Sequence, residues 1–168
     1  GITIALTQDY DLIFATSTPL TAGLPGIFAK YFRRKPFIFE ARDLWPKLPK
    51  AMGVIKNPVI LKLMDLLETL SYKSATACIG LSPGIVDGIR KKVPNKNLSM
   101  IPNGCDLDLV NNTNKDSKND KLIAVFTGAH GFANGLDSVL DVAKILINKN
   151  IHDIEFRFIG DGVLKQHF

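Results

Sequence analysis

Six short apolar runs constrain this chain more than any other feature: residues 12–15, 37–39, 76–81, 98–101, 122–126 and 155–159. Each has strand length and ends in polar or turn-forming residues. Between the first four lie stretches of helical periodicity, at 22–34, at 58–73 and from Pro83 onward. Strands joined by crossovers this long pair in parallel, with right-handed connections. A fresh strand-turn-helix unit begins at residue 122. The expected fold class is therefore α/β, with doubly wound parallel sheets in two incomplete domains. The first spans 1–106, a linker follows at 107–121, and the second spans 122–168. The chain opens at Gly1-Ile2-Thr3-Ile4 without Met and closes on Gln166-His167-Phe168, which reads as one turn of a helix. A fragment is expected.

Local signals refine the elements. In 22–34, Leu24, Ile27, Phe28, Tyr31 and Phe32 share a face, and Thr21 is the expected cap. Lys30, Arg33, Arg34 and Lys35 crowd the end of that helix. They read first as cations favoured by the helix dipole, and alternatively as a contact for anionic lipid headgroups. Residues 47–56 are basic, with room for one helical turn. Asn57 before Pro58 is a cap followed by a favoured first helical residue. From there Ile60, Leu61, Leu63, Met64, Leu66, Leu67 and Leu70 cover more than one stripe, so burial on both sides is expected. Ser82 caps the next helix. Residues 111–120 contain no apolar side chain and read as a solvated linker.

The formal net charge of +5 favours anionic partners. No basic stripe interleaves with aromatics, which argues against nucleic acid. Cys78 and Cys105 lack any CxxC spacing, so no structural zinc site is expected and both thiols read as reduced, in a cytosolic setting. No apolar run reaches the length of a membrane span, and no basic segment precedes an apolar core as in a signal peptide.

Two stretches carry the chemistry. Thr127-Gly128-Ala129-His130-Gly131-Phe132-Ala133-Asn134-Gly135 links a strand to a helix. Glycines there admit a ligand close to the backbone, and helix-start N–H groups attract anions. The plain alternative is a turn leading into a helix. Glu40-Ala41-Arg42-Asp43-Leu44-Trp45-Pro46 lies at a strand's carboxyl end, where open parallel sheets bind ligands. Its plain alternative is a salt-bridged loop anchored by Trp45. Thr16-Ser17-Thr18-Pro19 ends the first strand, and Gly160-Asp161-Gly162 is a second glycine turn. No metal-ligand cluster is visible, and no cofactor is expected.

The loop 40–46, Ser82-Pro83-Gly84, Pro102-Asn103-Gly104-Cys105-Asp106, the loop 127–137 and the turn 158–162 fall in one order. That order resembles the family 4 retaining glycosyltransferases of the GT-B fold, most nearly the fucosamine-transferase type that builds bacterial O-antigen and capsule. The resemblance spans nearly the whole chain. It implies two Rossmann-like domains facing each other across a cleft, acceptor on the first and nucleotide-sugar donor on the second.

By that resemblance Arg42 and Asp43 are the catalytic candidates, near a position where the family carries His. Thr16, Ser17 and Glu40 belong to the acceptor side. Gly128 and Gly135 match the donor-phosphate loop, with Ala129 and Asn134 where the family carries Arg and Lys. His130, Gly131, Asn134 and backbone N–H groups would then meet the diphosphate, and Gly160, Asp161 and Gly162 would flank the base. The family's first glycine loop would precede Gly1, and its E-x7-E segment would follow Phe168, so the fragment alone is not expected to transfer sugar. The resemblance also implies a UDP- or GDP-linked donor, a polyprenyl-linked glycan acceptor and a peripheral place at the inner face of the cell membrane. A GT-B sugar epimerase and a non-catalytic binding module are the alternatives. A nicotinamide dehydrogenase fits less well, because Gly128, Gly131 and Gly135 do not make G-x-G-x-x-G.

Overall fold

A computed structural model of the chain describes residues 1–106 and 121–166. The chain divides into two compact units, Gly1–Leu107 and Asp108–Phe168. The first contains α1 (Ile2–Thr7), β1 (Ile13–Thr16), α2 (Gly23–Phe32), β2 (Phe37–Ala41), α3 (Lys47–Ala51), α4 (Pro58–Ser74), β3 (Ala77–Gly80), α5 (Pro83–Lys92) and β4 (Leu98–Met100). Its four strands lie in the order β1-β2-β3-β4, and every pairing is parallel. The α/β class with parallel sheets is as the alternation requires; α1 has no counterpart among the expected elements.

Alternation along β2 decides which face is covered. Phe37, Phe39 and Ala41 are buried and join Cys78, Tyr72, Ala75 and Ile89 in one core. The rings of Phe39 and Tyr72 meet at 5.8 Å, which binds β2 to α4. On the opposite face Phe14 is 54% exposed. A parallel sheet ordinarily has both faces covered; among the described residues only one is.

The helix termini follow their residues. Asn57 accepts hydrogen bonds from the N–H groups of Val59 and Ile60, with Pro58 at the first turn. Ser82 caps α5 through the Ile85 N–H. Lys96 closes the other end of α4 by donating to the carbonyls of Lys73 and Ala75. Thr21 is not a cap. It sits inside a 3-10 turn, Leu20–Ala22, that runs straight into α2. The capping position, Ala22, is already helical (φ −62°, ψ −20°), so no extended residue is left to turn a side chain back.

The cluster ending α2 also has tasks beyond the dipole. Arg33 donates to the carbonyls of Leu6 and Gln8, and Lys35 lies beside Asp9 and 5.7 Å from the centre of the Tyr10 ring. These two cations fasten α1 and the segment after it.

The expected two-sided burial of α4 does not occur. Its buried residues are Glu68, Ser71, Tyr72 and Ser74, while Val59, Ile60, Leu63, Leu66 and Leu70 are 40–63% exposed. Close approach explains the inversion. A Cβ on Gly23 of α2 would stand 2.4 Å from Ser71 Oγ, and one on Gly26 would stand 2.1 Å from the Phe37 ring. A small residue is needed at Ser71, where α2 meets α4, and Tyr72 and Glu68 take the rest of the inner face, so the leucines lie outside.

The second unit holds β5 (Leu122–Thr127), α6 (Asp137–Asn148) and β6 (Ile154–Ile159), with β5 and β6 parallel from Leu122↔Ile154 to Thr127↔Ile159. A 3-10 turn, Phe132–Asn134, precedes α6. The expected linker lies outside the described residues apart from Lys121, as do His167 and Phe168. Both cysteines are free; burial pushes the Cys78 thiol up to about 11, while Cys105 is exposed. No helix among the described residues is long and apolar enough to cross a membrane.

The α2 contact gives a signed test. Helix propensity alone would make Gly26→Ala stabilising by roughly 1 kcal/mol. Steric conflict with Phe37 should instead destabilise the unit by about 1–3 kcal/mol. Urea unfolding decides, and a gain in stability would show that α2 does not depend on this close approach.

Candidate functional site

In the first unit the loops after β1 and β2 are laced together. Ser17 is buried, its N–H donates to the Glu40 carbonyl at 2.8 Å, and its Oγ accepts the Arg42 N–H at 2.8 Å. Thr18 donates to the Asp43 carboxylate at 3.2 Å. Thr16 and Glu40 are register partners and share a face of the sheet. The structure therefore brings Thr16, Ser17, Glu40, Arg42 and Asp43 to the carboxyl ends of two adjacent strands. Within that group Ser17 is a brace, and the Thr16 hydroxyl is buried with no protein partner.

Beside them lies a depression of about 460 Å³, lined by Arg42, Asp43, Leu44, Lys47, Leu48, Ala51, Ser82, Gly84 and Ile85. The lining combines two cations, Arg42 and Lys47, with the aliphatic side chains of Leu44, Leu48 and Ile85, and includes Gly84 and Ile85 at the start of α5. At Gly84 an added Cβ would meet nothing within 4 Å, so the backbone there is approachable. Such a surface suits a ligand with a negative charge and an apolar portion.

What holds this loop is a carboxylate the sequence reading did not single out. Glu68 is 1% exposed. Its Oε1 accepts the Trp45 backbone N–H at 2.7 Å and the Tyr72 hydroxyl at 2.9 Å, and its Oε2 pairs with Lys92. Lys92 also pairs with Asp65 at 2.6 Å. Burial and the neighbouring Glu68 push the Tyr72 hydroxyl far above the usual tyrosine range, so it stays a donor. Burial works against the Lys92 charge, but its bonds to Asp65 and Glu68 more than offset this and raise it above the ordinary lysine value. A pKa raised on folding contributes stability at neutral pH and loses it as pH climbs past the ordinary lysine value. The available signal was a lone Glu on an apolar helix, one turn before Tyr72. Lys47 was legible only as part of a basic stretch.

The second unit places its residues differently from the expectation. The N–H groups of Gly128 and His130 donate to the carbonyls of Ile159 (3.0 Å) and Asp161 (2.8 Å). Those of Gly131 and Asn134 donate to Ala129 (3.0 Å) and Gly131 (3.1 Å). His130 is 4% exposed, packed against the rings of Phe126 and Phe158, so it is interior rather than displayed. The Asn134 amide donates to the Ala129 carbonyl. Gly135 is left-handed (φ +59°), which turns the chain into α6. Gly160 and Gly162 let the two loops touch: a Cβ on the former would lie 1.9 Å from the Gly128 carbonyl oxygen, and on the latter 2.5 Å from that of His130. Asp161 is exposed and accepts the Gly162 N–H. Gly131 has extended backbone (φ −120°) and open space where a side chain would go.

A parallel sheet with cations and a helix start gathered beyond its carboxyl ends defines a Rossmann-like α/β unit. The chain belongs to the Glycosyl transferase 4-like domain family, whose model matches residues 3–104. It thus carries a glycosyltransferase domain, with a nucleotide sugar and a glycan acceptor as the general partners of that family. Comparison with curated proteins returns no match.

Glu68 yields the prediction here. Glu68→Ala leaves Lys92 with Asp65 alone and deprives the Trp45 N–H and the Tyr72 hydroxyl of their acceptor, and should cost about 3–5 kcal/mol of unfolding free energy. Glu68→Gln keeps an acceptor for Trp45 and Tyr72 and should cost less, about 1–3 kcal/mol. The advantage of wild type over Glu68→Gln should shrink in strongly alkaline urea titrations, as Lys92 loses its proton. Losses below about 1 kcal/mol in both variants would reduce the cluster to a weak surface pair.

Proposed function

We propose that this domain serves a retaining transferase that moves a sugar from a UDP- or GDP-linked donor to a lipid-linked glycan. The setting we propose is the cytoplasmic face of the membrane, in the assembly of bacterial O-antigen or capsule. One observation carries this reading: the depression at the carboxyl ends of β2 and β3, whose lining joins Arg42 and Lys47 to the aliphatic side chains of Leu44, Leu48 and Ile85. A lipid phosphate offers the matching pair of features, anion and hydrocarbon. Arg42 and Lys47 supply fixed positive charge where negative charge must be held or develops, which lowers a transfer barrier. Asp43, held by Thr18, is the carboxylate beside them.

On the donor side the second unit would present the start of α6 and the open backbone face at Gly131, where no side chain stands in the way, while the N–H groups of Gly128, His130, Gly131 and Asn134 are engaged within the loop. Binding of the diphosphate should then be modest and salt-sensitive, since exposed helix ends contribute only about 0.3–1 kcal/mol.

Two variants test this. Gly131→Val suits the backbone and meets no neighbour, so any weakening of UDP, GDP or nucleotide-sugar binding in calorimetric titration reports a blocked approach. Undiminished binding would move the donor site away from this loop. In an active transferase containing this domain, Arg42→Ala should lower nucleotide release from UDP- or GDP-sugars by about tenfold or more. Its unfolding free energy should stay within about 0.5 kcal/mol of wild type, as for other exposed positions. Unchanged turnover would leave the 40–46 loop purely structural.

A further inference from the structure

Val59, Leu63, Leu66 and Leu70 follow one another at spacings of four, three and four, which places them in a single row along α4. All four are exposed. Their helix buries Glu68, Ser71 and Tyr72 on the other side, so the row is not the edge of a core. Lys62 and Lys73 fall beside it at helical spacing, and both are exposed. At the carboxyl end of α4 the Ser74 hydroxyl reaches that of Tyr31 at 3.4 Å, and Tyr31 and Phe32 are 65% and 71% exposed.

Charge decides what such a face meets. Residues 12–64 hold nine lysines and arginines against two acids, Glu40 and Asp43. The other residues hold twelve against fourteen, so the entire positive excess of the chain lies in this stretch. From residue 44 to residue 64, the approach to the apolar row and its first half, there are four lysines and no acid. A second copy of the same face would set lysines against lysines. An anionic bilayer offers hydrocarbon to the leucines and negative charge to the rim, as for helices that lie in a membrane interface.

We propose that the outer face of α4, continued by Tyr31 and Phe32, is a docking surface for an anionic lipid bilayer. The helix lies along the interface, its leucines in the acyl boundary and Lys62 and Lys73 at the headgroups. Arg33 and Lys35, occupied around α1, contribute little. The surface rests on the membrane setting proposed above, and failure of vesicle binding would leave the transferase reading standing.

Sedimentation of the chain with vesicles tests it, using phosphatidylglycerol mixed into phosphatidylcholine, and phosphatidylcholine alone. Binding is expected to the first and not to the second. It should weaken as salt rises from roughly 0.1 M to 1 M, where the screening length falls from about 10 Å to 3 Å. Leu63→Glu with Leu66→Glu should weaken binding by about tenfold or more for each leucine, while the circular dichroism and urea midpoint stay those of wild type. Lys62→Glu with Lys73→Glu leaves the apolar row untouched and should also weaken binding, which keeps the test sound if the leucine variant misfolds. Equal binding by folded leucine variant and wild type overturns the proposal. So does a concentration-dependent dimer in light scattering that the leucine variant abolishes while wild type ignores vesicles, which would give the face to a second copy.

Discussion

The Glu68 carboxylate, set into the interior of the first unit, obliges its neighbours to satisfy it. A buried carboxylate without partners is strongly unfavourable, and the three that meet it come from different places. Tyr72 is on the same helix, Lys92 ends α5, and the Trp45 N–H belongs to the loop after β2. One side chain therefore sets the spacing of α4 and α5 and the path of the chain beyond Asp43. The lacing of Ser17 and Thr18 to Arg42 and Asp43 holds the same loop from its other side. The candidate site is a loop by secondary structure but is pinned at both flanks, which is what positioning charged groups requires.

The second unit uses backbone instead of charge. Gly160 and Gly162 allow the β6 turn to lie against the β5 loop, and the rings of Phe126, His130 and Phe158 fill the space beneath. This cross-bracing consumes N–H groups that an unbraced glycine loop would offer to an anion. Asp137 already occupies the first turn of α6, where its charge suits the helix dipole and opposes a second negative group. With Ala129 and Asn134 also uncharged, any diphosphate held here is met by few positive groups. The Gly131 backbone is open to approach, but its own N–H is already donated to the Ala129 carbonyl.

What was legible in the sequence follows from which physical signals are local. The strands were readable because alternation and flanking turns are written in a few consecutive residues, as at Phe37 to Ala41. Asn57-Pro58 and Ser82-Pro83 announced their helices for the same reason. Thr21 misled because its residue type permits capping while the turn ahead of it was already helical, a fact set by Leu20 and Ala22. Helix α4 misled more deeply. Seven apolar residues argued for a covered helix, but the inward side holds Ser71 against Gly23 of a different helix, together with Tyr72 and the partnered Glu68. Glu68 could not be weighted without knowing that Trp45 and Lys92 converge on it. His130, read as a displayed ligand, is an interior ring because Phe126 and Phe158 flank it from two strands.

The inversion of α4 links the parts of the first unit. A helix that faces its own protein with Glu68, Ser71 and Tyr72 loses some apolar burial there, and its inner contacts instead fix geometry. Its outer row keeps the apolar area a helix of this composition has to place somewhere, at roughly 25 cal/mol for each Å² removed from water. Inner and outer faces are thus complementary uses of one sequence. The same rigid rod that anchors the Arg42 loop carries the surface fitted to hydrocarbon, and Lys47 and Leu48 of the depression stand only one short helix and a turn before it in the chain.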